Sequence, residues 1–127
     1  MSSFSDYTEN RVLDHLFRAV ASTAPATVYL ALFTVAPTDA GGGTQVSTGG
    51  YARQAITFGA ASGGAIANTV AVSFTASGAS YGAVVAVGIF DALTVGNMLA
   101  WAPITSATVN DGDTLQFPIG DIDVTLT

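Results

Sequence analysis

Residues 26–54 read ATVYLALFTVAPTDAGGGTQVSTGGYARQ. The first part, Val28 to Thr34, has the composition of a strand: Val, Tyr, Phe and Thr in a short apolar run, with Pro25 before it and Pro37 after it. With a period of two, Val28, Leu30 and Leu32 fall on one face and Tyr29, Ala31 and Phe33 on the other. Both faces are apolar, so both call for cover. From Pro37 to Gly50 there is no apolar period, and five glycines, Pro37 and Asp39 read as a long loop. Tyr51 then opens a return strand through Ile56 to Phe58.

Outward from this unit the signal is mostly β. Asp6 to about Val20 is the exception. Leu13, Leu16, Phe17 and Val20 recur at helical spacing, and Asp6 with Glu9 three residues on has the form of a capping box. Ser22, Thr23 and Pro25 end that helix. After Gly59–Ala65, a turn, comes a strand signalled by Ile66 and then by Val70, Val72 and Phe74 on one face. Ala83–Phe90 is a nearly continuous apolar run, the pattern of the most buried strand. Asn97–Ile104 carries Trp101, Asn110–Asp113 is a tight-turn signal, and Leu115–Ile119 and Ile122–Leu126 are short final strands. Seven or eight strands spaced by roughly ten residues predict an antiparallel β-sandwich or jelly-roll-like barrel with one N-terminal amphipathic helix. The 127 residues form a single β domain, 1–127.

Half the residues are hydrophobic and only 9% are charged, against about 25% in ordinary globular chains. Three arginines and no lysine stand against nine acids, for a net charge of −6. Nucleic acid, which needs a basic stripe, is excluded as a partner. No apolar run is long enough to span a membrane. The absence of cysteine excludes disulfides and thiolate metal sites. A surface so poor in charge fits either Thr/Ser-rich outer faces or faces covered by neighbouring subunits.

Chemistry is sparse. His15, the single histidine, sits on the helix beside the apolar stripe, with no Gly-x-Ser-x-Gly elbow elsewhere to suggest a partner nucleophile. Gly41-Gly42-Gly43-Thr44 lacks the lysine of a phosphate loop. Asp111, Asp113, Asp121 and Asp123 cluster late, with Asp121 and Asp123 on one strand face, but their spacing is not that of a calcium loop, and solvated turn and edge positions account for them. The reading is therefore of no catalytic residue, no cofactor and no metal. Arg53 stands out as a planar cation in a chain with few cations. A local pair with Asp39, Asp91 or a turn carbonyl is one expectation for it, and an intersubunit pair is the other.

Several segments together resemble a family of small virion proteins of tailed bacteriophages, some labelled tail-fibre-like and some decorating capsids. They are Tyr7, Glu9, Asn10 and Leu13-Asp14-His15; Tyr29 to Thr34; Pro37-Thr38-Asp39-Ala40-Gly41; Gly50-Tyr51-Ala52-Arg53-Gln54; Gly88-Ile89-Phe90-Asp91; Gly96-Asn97; and Gly112-Asp113. Gly-Gly-Tyr-Ala-Arg-Gln is the most specific piece. Gln45 and Thr48 stand where Glu and Ser or Gly are expected, and Tyr81 where Trp is common. The resemblance implies a virion structural part without catalytic residues. With no shaft repeat in the sequence, the first expectation is a capsid decoration (cement) protein on the outer capsid surface. It would bind the major capsid protein and copies of itself, as a trimer. The alternative is a tail-associated or fibre-base protein with tail partners. The loop from Pro37, with Asp39, Gly41, Gly42 and Gly43 and its exit at Tyr51 and Arg53, is the expected interaction site: an arm that orders on contact, braced at its base by Arg53.

Overall fold

A computed structural model describes residues 3–126. In chain order the elements are β1 (Ser3–Phe4), α1 (Asp6–Phe17), β2 (Val28–Val35), β3 (Thr44–Gln45), β4 (Gln54–Ile56), β5 (Ala65–Ala67), β6 (Val72–Thr75), β7 (Gly82–Phe90), β8 (Met98–Val109), β9 (Thr114–Phe117) and β10 (Asp123–Thr125). The main sheet runs β1-β8-β7-β2-β3, and β4 shares the outer edge of β2 with β3. Two ribbons, β6 with β9 and β5 with β10, complete the fold. Every pairing is antiparallel. The result is an open sandwich and not a closed barrel.

The two-faced strand is confirmed. Leu30, Ala31, Leu32 and Phe33 of β2 are all buried. Leu30 and Leu32 face the main core, shared with Val87 and Ile89 of β7, Val72 and Phe74 of β6, Phe117 of β9 and Ile122. Ala31 and Phe33 face a smaller cluster with Ala86, Phe90 and Met98 on the opposite side of the sheet. β7 is the most continuously buried strand, as its apolar run predicts.

Other expectations shift. The return strand is only β4, and Tyr51 lies before it. The expected strand through Ile66 and Val70 divides at Asn68 into β5 and β6, and Val70 is exposed outside both. The break is made by a buried amide. Asn68 Nδ2 donates to the carbonyls of Val70 (2.9 Å) and Pro118 (3.0 Å), and its Oδ1 accepts from Ile122 N (2.9 Å). A fully satisfied amide thus stitches the two ribbons together. Asp121 belongs to the turn before β10, so it does not share a strand with Asp123. Asn110–Asp113 is a turn, with Asp113 N donating to Asn110 O at 2.9 Å, but it carries the chain from the main sheet to a ribbon.

The helix begins one residue earlier than the capping-box reading allows. Ser5 is the N-cap and accepts from Thr8 N at 3.2 Å. It is selected over Asp6 because its hydroxyl also donates to Met98 O, which ties the cap to β8. The helix stops at Phe17, short of Val20. Ala19 turns left-handed at φ 57°, Val20 N donates to Asp14 O at 3.1 Å, and His15 Nδ1 donates to Val20 O at 3.0 Å. Its Leu-Phe stripe is not covered: among the described residues of α1, none is buried.

Gly88 sets the spacing in the smaller cluster. A Cβ there would lie 2.9 Å from Phe33 Cε2 and 3.4 Å from Met98 Sδ, so Phe33 occupies the volume that a side chain on β7 would fill. Gly88→Ala is expected to destabilise the fold by about 1–3 kcal/mol. Adding Phe33→Leu should recover part of that loss, which urea unfolding of the single and double variants measures. Additive losses would refute this packing account.

Candidate interaction site

The segment expected to be the arm makes several bonds to its own sheet. Thr38 and Gly41 bond each other in both directions (2.9 and 2.8 Å), and β3 pairs with the end of β2. Val46 is buried in the main core. Asp39 fastens the turn twice: its Oδ1 accepts from Trp101 Nε1 at 2.8 Å, and its carbonyl accepts from Asp6 N at 2.9 Å. Gly43 is required by the fold itself, since at φ 75° a Cβ would meet Val35 O at 2.7 Å. Gly41 and Gly42 face open space. The segment is therefore ordered on its own sheet, because its apolar residue and its carboxylate both find partners there.

Tyr51 and Arg53 are brought together, and apart from Asp39. The Tyr51 hydroxyl donates to Gln45 Oε1 (3.1 Å) and accepts from Leu32 N (3.0 Å), while its ring stacks on Phe74 and meets Tyr81 edge-on. Burial pushes its pKa up, opposed by the Leu32 amide and by Arg53. Arg53 Nε donates to the same Gln45 oxygen at 3.3 Å. Gln45 on β3 is thus the hub that joins the two side chains, a role that the sequence marked only as a departure from the family pattern.

Arg53 settles among carbonyls. It is 9% exposed, lies 3.7 Å over the Phe90 ring, and its Nη1 donates to Ala92 O (2.8 Å) and Val95 O (2.7 Å). Of the local partners considered, the turn carbonyls are the ones found. Among the described residues it forms no ion pair with Asp39 or Asp91. Desolvation lowers its pKa, and Tyr51 and Asp91 raise it; the guanidinium stays charged at any working pH.

The loop it holds, Asp91–Asn97, is under strain. Val95 has φ 56° and is 84% exposed, an unfavourable backbone for a β-branched residue. Gly96 is obligatory, because a Cβ there would lie 2.5 Å from Asp91 Oδ1. The Asp91 carboxylate accepts from Asn97 N (2.7 Å) and Asn97 Nδ2 (3.1 Å). Burial alone would raise the Asp91 pKa, but these hydrogen bonds outweigh it and hold the carboxyl below its ordinary value. Between this loop, the start of α1 and the Thr38–Gly41 turn lies a cleft of about 420 Å³ lined by Asp6, Tyr7, Asp39, Gln45, Asn97 and Met98, among others.

The late acids do not converge: Asp111 accepts from Gly78 N (2.9 Å) and Asp113 from Asn110 N (3.0 Å). Among the described residues, no group of three or more His, Cys, Asp or Glu side chains is placed to hold a metal ion. Likewise no described helix is long and apolar enough to cross a membrane.

Fold and site together define an antiparallel β-sandwich whose smaller face is braced by a buried arginine and two turns. The family model described as Podophage GP4 fiber I protein gp80 matches residues 3–125, and the chain belongs to that family. It is accordingly a bacteriophage structural protein of the fibre-like kind, and its place is the virion. No curated protein matches the chain.

Two outcomes follow for the brace. Arg53→Ala should cost about 2–3 kcal/mol, from charge-assisted hydrogen bonds and the contact with Phe90, and should raise amide exchange in residues 91–97 before exchange elsewhere. An unchanged midpoint of urea unfolding would mean that the guanidinium is a contact residue and not a brace. For Asp91, the folded pKa lies below the ordinary value of 3.8. Its contribution to stability is therefore complete above that value and is lost as pH falls through the lowered folded value. Asp91→Ala should accordingly flatten the acid limb of the stability curve, as followed by circular dichroism.

Proposed function

We propose that the protein is a non-catalytic structural subunit of the phage fibre apparatus: a compact module held in the tail by contacts with other subunits. The observation that carries this reading is α1, a helix with an apolar stripe and no buried residue. A monomer gains nothing from such a face, and assembly gives it cover. The description of the family as a fibre protein supports the tail as its place.

Capsid decoration is the second reading. It is favoured by the compact sandwich itself, since residues 3–126 contain no shaft-like repeat, and a single small domain suits a protein laid over capsomer seams. In either place the partners are virion proteins and copies of this chain.

Copy number separates the two. Quantitative mass spectrometry of purified virions should give an abundance in proportion to the tail proteins. Abundance in proportion to the major capsid protein would reverse the order of the two readings. Absence from the virion would end both.

A further inference from the structure

The outward side of α1 carries both a projection and a recess. Phe17 is 79% exposed, the most exposed aromatic among the described residues, flanked by Leu16 at 67%. About one helical turn earlier, Phe4, Glu9, Val12, Leu13, Thr125 and Leu126 line an open cleft of about 390 Å³. The projection and the recess lie on one helix of one molecule, which is the condition for a self-complementary twofold contact: each copy supplies what the other receives.

Charge favours the same partner. The helix and its C-cap hold Asp6, Glu9 and Asp14 against Arg11 and Arg18, while the remaining chain holds six acids against Arg53 alone. Arg18 is paired with Asp14 at 2.8 Å. Arg11 is turned back onto Tyr7, Ser22 and Thr23. Two copies, each of charge −6, repel least where they meet along α1. A basic partner would be drawn to the acidic faces instead.

We propose that α1 is a self-association surface, on which Phe17 of each copy seats in the cleft between Phe4, Leu13 and Leu126 of a second copy. An aromatic side chain buried in such a cleft has the character of an interface core. The contact is twofold, and so differs from the threefold arrangement that the family resemblance implies. It rests on the reading of α1 as an assembly face, and it holds whether the dimer sits on tail or capsid.

Sedimentation velocity of the full chain should show a dimer. Phe17→Glu should give a monomer with unchanged circular dichroism and melting temperature, because its ring is 79% exposed. Leu13→Glu should also give a monomer, with a lowered melting temperature because Leu13 is half-buried beside Phe4 and Leu126 of its own chain. Val70→Glu, at an exposed position outside the strands, should stay dimeric. The chain has no cysteine, so single substitutions report contact directly. Phe17→Cys mixed with Leu126→Cys should form a disulfide-linked heterodimer faster than Phe17→Cys mixed with Val70→Cys. A wild-type monomer or trimer, a dimer that survives Phe17→Glu, or equal cross-linking rates would each overturn the pairing. A monomer would leave the virion assignment standing, whereas absence from the virion would leave the dimer standing, so the two failures are distinct.

Discussion

Burial of β2 on both faces is the constraint on which the rest depends. A strand whose consecutive residues Leu30 to Phe33 are all withdrawn from water needs a layer on each side. On one side the two ribbons supply it, with Phe74, Phe117 and Ile122. On the other there is no second sheet. The cover consists of Phe90 and Met98, with Trp101 and Val85 packed against them. The glycine-rich connection after Pro37 is tied to the sheet on both sides: Val46 enters the main core, and Asp39 accepts from Trp101, which packs against the smaller cluster.

Arg53 follows from the same need. The smaller cluster ends at the Phe90 ring, and a guanidinium is a planar cap for an aromatic face that still carries donors at its rim. Burying a cation costs desolvation free energy, and here the hydrogen-bonding compensation comes from two loop carbonyls and an amide oxygen, with the charge of Asp91 acting without a direct ion pair. Carbonyl dipoles offset the charge without a second ion to desolvate. The same hydrogen bonds hold the 91–97 loop closed around Val95, so the left-handed valine and the buried arginine sustain each other.

What the sequence disclosed depended on how local the cause was. The period-two pattern of β2, the apolar run of β7 and the helical stripe each need only a few neighbouring residues, and all three were legible. Ser5 as the cap and the break at Asn68 depend on partners far along the chain, Met98 for the first and Pro118 with Ile122 for the second, and β3 inside an apparent loop depends on Leu32 and Val35 of the neighbouring strand. The cap and the break join residues about fifty to ninety positions apart, outside any local window, whereas β3 pairs with β2 across a short connection and is hidden because two residues are too few to show a period. The site was half legible for the same reason. Arg53 drew notice by its rarity and Asp39 by its place in the loop, whereas Gln45, which joins Arg53 to Tyr51, is chemically ordinary until its neighbours are known.

Periodicity marks a residue as apolar on one side, but it does not say whether the layer that covers that side belongs to the same molecule. In β2 the two patterns and their cover lie within one chain. In α1 the pattern is equally clear, the cap is secured to β8 through Ser5 and Thr8, and the cover is missing among the described residues. A helix anchored by its polar side, with Leu16 and Phe17 left largely to water, returns little from those side chains to its own stability. The low charge of the chain has the same sense, since a surface with few ions opposes close contact least. Both features are the ones on which the proposed assembly rests.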